Sequence, residues 1–159
     1  MSYRKAPLPS DAALVKVPNV FEQIAAGTAE ASFVYRDDKV AAIMDIQPLN
    51  PGHVLVIPLE PARFLCELKD DIAAHMFVIG KRVAEAIRCT TLECEGVHFF
   101  LADGAAAGQE IPHVHLHVVP RHGKDGFGLN LPERYFKLPP RSALEAAAKS
   151  IREALKSAV

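Results

Sequence analysis

Apolar residues recur along this chain at two spacings, and the switches between them mark out the elements. After an extended arm over residues 1 to 17, which carries Pro7 and Pro9, the pair Asn19 and Glu22 has capping-box spacing. Val20, Phe21 and Ile24 form the apolar face behind it, and Gly27 marks the stop, so a short helix is predicted. Residues 31–36 and 39–45 read as two strands joined at Asp37-Asp38, a hairpin. The loop Ile46-Gln47-Pro48-Leu49-Asn50-Pro51-Gly52 follows, then a strand over residues 53–58. Residues 61–69 suggest a short helix or turn. Asp70 and Asp71 favour a helix start, and Ile72, Met76, Ile79, Val83 and Ile87 then recur at helical spacing, with an end near Arg88. Residues 96–101 and 113–119 read as neighbouring strands. Residues 122–140 are irregular, rich in glycine and proline. Ser142 and Glu145 have the spacing of a second capping box, and Leu144, Ala148, Ile151 and Leu155 stripe a closing helix ending near Ser157. The order predicts an α+β fold over a single domain of residues 1–159: an antiparallel sheet of about five strands, a long helix and a C-terminal helix.

Composition narrows the class. Half of the 159 residues are hydrophobic and 23% are charged, which suits a globular chain. A formal net charge of −1 offers no broad basic field, so no nucleic-acid partner is expected. No apolar run approaches the ~20 residues of a membrane span, and the first residues lack the apolar core of a signal peptide. Cys66, Cys89 and Cys94 lack metal or redox spacing, so they are expected as reduced, partly buried thiols in a cytoplasmic protein.

The candidate chemistry lies in His113-Val114-His115-Leu116-His117. Alternation on a strand puts three imidazoles on one face. Histidines that merely face water explain one or two such positions better than three. Metal binding is a second reading, but His113 and His117 lie ~13 Å apart on an extended strand, too far to share one ion without strain. Catalysis is the third. A neutral imidazole is a nucleophile at neutral pH, and its neighbours can donate hydrogen bonds to phosphate oxygens. Just upstream, residues 102–109 are small and glycine-containing, which lets backbone N–H groups approach an anion.

Gly108, Gln109, His113, His115, His117, Val118 and Val119 together resemble the histidine-triad (HIT) superfamily of nucleotide hydrolases and transferases. The third histidine and the following Pro120-Arg121 are similar to its branch of Fhit-type dinucleoside polyphosphate hydrolases and bacterial relatives. A second stretch, from Asp45 through Pro48 and Pro51-Gly52-His53 to Pro58, resembles the family independently. The resemblance implies cleavage of a phosphoanhydride or phosphoramidate at the α-phosphorus through a nucleotidyl-histidine. His115 would be the nucleophile, with His113, His117 and Gln109 positioning phosphate and leaving group. Asp45 would bind the ribose, although a turn aspartate fits the local sequence as well. Ile43 and Ile46 would wall the base, or simply be core. Gly108 would lie at the nucleotide site, and so would His53, although a strand-end histidine hydrogen-bonded for structure fits nearly as well. No cofactor or metal is implied, no membrane contact is expected, and a homodimer is. A nucleotide-binding regulatory protein with little turnover is the alternative. Departures from the pattern are Ala102 where asparagine is common and Glu110 where a small hydroxyl residue usually stands. Asn19 and Glu22 replace the Cys-x-x-Cys half-site that binds structural zinc in many relatives.

Overall fold

The computed structural model describes residues 17–157; nearly all of the predicted N-terminal arm lies outside them. These residues fall into two compact units, one up to Asp125 and one from Gly126.

In the first unit α1 (Val20–Ala26) forms as the capping box predicts. The Asn19 side chain accepts from Glu22 N–H, the Glu22 carboxylate accepts from Asn19 N–H, and Gly27 closes the helix in the left-handed conformation. The hairpin β1 (Phe33–Arg36) and β2 (Val40–Met44) follows. Its turn is held by Asp37, whose Oδ1 accepts from the N–H groups of Lys39 and Val40. Then come β3 (Val54–Pro58), a single 3₁₀ turn at Leu65–Glu67, α2 (Asp70–Arg88), β4 (Gly96–Phe100) and β5 (Leu116–Arg121). The five strands form one sheet in the order β1-β2-β3-β5-β4, and every pairing is antiparallel. The α+β architecture is therefore as the sequence predicts.

Both faces of the central strands are covered. Val40, Ala42, Val54, Val56, Leu116 and Val118 pack against Ile72, Met76, Ile79, Val83 and Ile87 of α2. Gly80 makes the approach of α2 close: a Cβ there would lie 3.1 Å from both Leu116 Cδ2 and Phe99 Cε1. On the other face Ala41, Ile43, Leu55 and Ile57 pack against Phe21 and Ile24 of α1. His75 on α2 ties the hairpin turn down, with Nε2 2.6 Å from Asp37 Oδ2.

Three expectations need correction. The last strand begins at Leu116, not at residue 113. Beyond the Val56–Leu116 pair the partner strand reaches Pro58, which has no N–H to extend the ladder. The Val114 N–H goes instead to Ala62 O at 2.7 Å. The thiols are free, as expected, but Cys66 and Cys89 are exposed, not partly buried. In the second unit, α3 (Arg141–Ser157) starts ahead of the expected cap. Pro140 O accepts from Ala143 and Leu144, so Ser142 and Glu145 lie inside the helix, and Glu145 accepts from Arg152. Leu144, Ile151 and Leu155 of α3 are exposed.

A clasp fixes the loop between β2 and β3. Asn50, buried, donates through Nδ2 to Pro120 O and Asp125 Oδ2, both at 2.9 Å. Arg121 holds the same carboxylate through Nε and, at 2.8 Å, Nη2. Among the described residues no helix is long and apolar enough to cross a membrane.

Candidate active site

Strand parity decides which side chains meet. His117 pairs with Leu55 on one side and Phe100 on the other. It therefore shares the α1 face of the sheet, while Leu116 and Val118 turn toward α2. Because α1 has only seven residues, it leaves part of that face open. The result is a cavity of about 510 Å³, within the range that accepts a mononucleotide-sized ligand. Phe21, Ile24 and Ile43, packed in one apolar cluster, form its apolar lining. Asp45, His53, Phe100, Gly108, Glu110, His115 and His117 complete the working end, and Ile46, 94% exposed, stands at the rim.

Hydrogen bonds fix the protons. The His115 ring is 94% buried, and its Nδ1 lies 2.7 Å from His113 O. A carbonyl only accepts, so Nδ1 carries the proton and the neutral ring keeps its lone pair on Nε2. Two residues on, the order reverses. Leu49 N–H donates to His53 Nδ1 at 3.2 Å, so His53 carries its proton on Nε2. That nitrogen lies 3.0 Å from His117 Nδ1 and donates to it, which leaves the His117 proton on Nε2. His117 stacks on Phe100 at 4.0 Å and 11°, and its ring centre is 4.7 Å from that of His115. The cavity thus holds a bare imidazole nitrogen beside an imidazole N–H.

Electrostatics keep the second pair neutral. Burial, then the neighbouring His115 and His53 rings, lower the His117 pKa to about 3. His53 is likewise lowered by burial, which outweighs the Asp45 carboxylate 3.3 Å from its Nδ1; His115 lowers it further.

The other candidates take different places. His113 does not line the cavity. Its buried ring lies edge-on to Phe21 and donates from Nε2 to Pro58 O at 2.9 Å, while its carbonyl holds His115. Gln109 is outside the wall too: Oε1 accepts from Gly104 N–H at 2.9 Å and Nε2 donates to Arg63 O at 2.8 Å. That amide braces the loop whose 3₁₀ turn, Ala105–Ala107, ends at Gly108 in the left-handed region, φ 85°. Asp45 caps its turn, Oδ1 accepting from Gln47 N–H at 2.8 Å, and also lines the cavity. Ala102 and Glu110, the two departures from pattern, both line it. Sequence reasoning missed Phe100 and the Leu49 amide. Alternation in residues 96–100 put His98 and Phe100 on one face, but only strand register brings Phe100 to His117.

The HIT domain profile matches residues 26–124, a span that includes all five strands and the whole histidine row. The chain belongs to the HIT domain family. It is 38% identical to an uncharacterized HIT-like protein of Mycobacterium tuberculosis over 139 residues, 87% of this chain and 94% of that one. The crystal structure of a HIT family protein from Bacillus anthracis aligns with TM-score 0.78 and 31% identity, over 86% of this chain and 96% of that one. The bis(5′-nucleosyl)-tetraphosphatase (asymmetrical) of Schizosaccharomyces pombe is 34% identical over 91 residues, 57% of this chain and 50% of that protein.

In this HIT-family chain, Asp45, His53 and His117 also form the one grouping among the described residues whose ligand atoms lie within 4.8 Å of one another. Ligand atoms ~2.0–2.1 Å from a tetrahedral zinc lie ~3.4 Å apart, so these three would have to close in to share an ion. The Asn19 and Glu22 side chains are engaged in the cap of α1.

Proposed function

We propose that this HIT protein is a nucleotide hydrolase or nucleotidyl transferase acting at the α-phosphorus. The observation that carries the reading is the His115 tautomer: Nδ1–H is held by His113 O, and Nε2 is left bare at the cavity. Nε2 attacks phosphorus, the bond to the leaving group breaks with its electron pair, and a nucleotidyl-imidazole forms. Water then attacks the same phosphorus, Nε2 departs, and a nucleoside monophosphate is released. His117, neutral with its proton on Nε2, donates to a phosphate oxygen as charge develops. Asp45 accepts from the ribose hydroxyls, with Ile43, Ile46 and the α1 wall around the base. His113 and Gln109 act at one remove, His113 through its carbonyl and Gln109 by bracing the loop at Gly108.

A nucleotide-binding protein with little turnover is the competing reading, favoured by Glu110 in the cavity wall. A panel of adenosine phosphoramidates, acyl phosphates and dinucleoside polyphosphates, scored for released AMP, separates the two. Turnover with an acid-labile adduct mapped to His115 is expected. Tight binding without release of AMP from any compound would replace the hydrolase reading with the binding one.

We also propose a homodimer. β4 ends the sheet order, and Phe77 of α2, 58% exposed, lies tilted beside Phe99 of that edge strand, ring centres 5.6 Å apart. A monomer mass by light scattering at micromolar concentration would overturn it.

A further inference from the structure

The Glu30 and Glu110 carboxylates of the cavity wall have no part in the hydrolytic steps above. Glu30, Asp45 and Glu110 line the cavity, and among the described residues no lysine or arginine does. Asp45 is engaged by Gln47 N–H and lies beside His53. Glu110 is exposed and makes no hydrogen bond or ion pair among the described residues. It stands two residues after Gly108 and five before His115. His115, 94% buried, lines the same cavity, and its Nε2 makes no hydrogen bond among the described residues. A ligand seated at that nitrogen shares the cavity with Glu110.

One phosphoryl group can be met by the His117 N–H, since the backbone amides of Ala107, Gly108 and Gln109 already donate to Gly104 O and Ala105 O. A run of phosphates adds about one negative charge each to a wall that offers no counter-ion. An ammonium on the leaving group meets Glu110 with opposite sign instead. We infer that Glu110 determines specificity, selecting nucleoside 5′-phosphoryl substrates whose leaving group carries a positive charge over substrates with anionic leaving groups such as polyphosphates. The inference rests on the nucleotide reading of the cavity, and it takes up the residue by which this chain departs from the usual small hydroxyl.

The test keeps a P–N scissile bond and varies the charge of the tail; the amines also differ in basicity, and comparing each ratio between wild type and variant cancels that difference. Three adenosine 5′-phosphoramidates are compared, made from 1,2-diaminoethane (cationic tail), propylamine (neutral) and β-alanine (anionic). For the wild type, kcat/KM should fall in that order. In Glu110→Gln the cationic-to-anionic ratio should shrink by roughly two- to fivefold, the size of an exposed charge contact. In Glu110→Lys the ratio should invert. The same compounds, titrated calorimetrically into His115→Asn, give the charge order without turnover. A wild-type ratio near one, a ratio unmoved in Glu110→Gln, or equal losses for all three compounds would overturn the inference while leaving the hydrolase reading intact. A charge order seen in binding, with no turnover of any compound, would sink the hydrolase reading and leave Glu110 as the selector. Failure of all three to bind would remove both.

Discussion

The two faces of this sheet are made by the same strands and end up with opposite properties. The α2 face is covered by a nineteen-residue helix and closes completely, with Val40, Val54, Val56, Ile79 and Val118 at 2% exposure or less. The α1 face is covered by seven residues, and what that helix leaves uncovered becomes the cavity. The chemistry-bearing residues of β5 and its approach sit on the second face by parity alone. A shift of one residue in the β5 register would turn His117 toward α2 and put Leu116 and Val118 in the cavity. The contrast teaches that cover length, not strand sequence, separates a packing face from a reactive one.

The sharpest way to break the comparison is to exchange loss of function for loss of stability. His115→Ala should lower kcat by ~10⁴-fold or more, as removal of a nucleophile does, and leave the melting temperature near that of the wild type. Near wild-type turnover would end the nucleophile assignment. Ile79→Ala on the opposite face should do the reverse, costing about 2–5 kcal/mol of stability through the cavity it leaves. Chemical denaturation measures it, and a loss below about 1 kcal/mol would mean that the α2 face is less tightly closed than its burial implies.

A pH series sharpens the contrast. His117, held to about 3, and His53, also lowered, stay neutral in the folded chain while the unfolded chain protonates them from ~6.5 downward. The unfolded state then binds more protons, so their contribution is complete above ~6.5 and is lost as pH falls from there toward 3. Asp37 works in a lower window. Burial raises its carboxyl, but His75, Val40 and Lys39 outweigh that and hold it below the ordinary carboxylate range, so its contribution fades only as pH drops below ~3.9. Melting temperatures from pH 7 to 4 should therefore fall less steeply in His117→Phe than in the wild type. Equal slopes would show that the α1 face does not carry this dependence. The smallest effect expected is that of Asp45→Ala, which should raise KM about tenfold with kcat largely kept, because ribose contacts are similar in ground and transition states. A collapse of kcat at constant KM would remove the ribose role.

What the sequence made legible follows the range of the interactions involved. The Asn19–Glu22 cap and the α2 stripe are local, set by residues three or four apart, and both appear as the pattern predicts. The row from His113 to His117 identified the site because alternation is local too. The division of labour within the row was hidden, since it depends on carbonyls and amides brought in from elsewhere. Pro58 O claims His113, and Leu49 N–H sets His53 and through it His117. Gln109 was expected at phosphate from the family resemblance; the backbone at Gly104 and Arg63 takes both ends of its amide first. The start of β5 was misplaced for a similar reason: Pro58, fifty-eight positions before Leu116, ends the ladder.

The Leu49 amide gives the site a built-in observer. Its proton sits between a backbone nitrogen and His53 Nδ1, an N–H···N bond at 3.2 Å. Isotope labelling of both nitrogens makes such a bond visible as a scalar coupling that exists only while the acceptor keeps its lone pair. Because the amide is held by the loop that Asn50 clasps to Pro120 and Asp125, its resonance reads the proton on His53 from outside the reacting atoms. Loss of the coupling on titration or on addition of a nucleotide would time-stamp the moment at which the imidazole pair changes its protons.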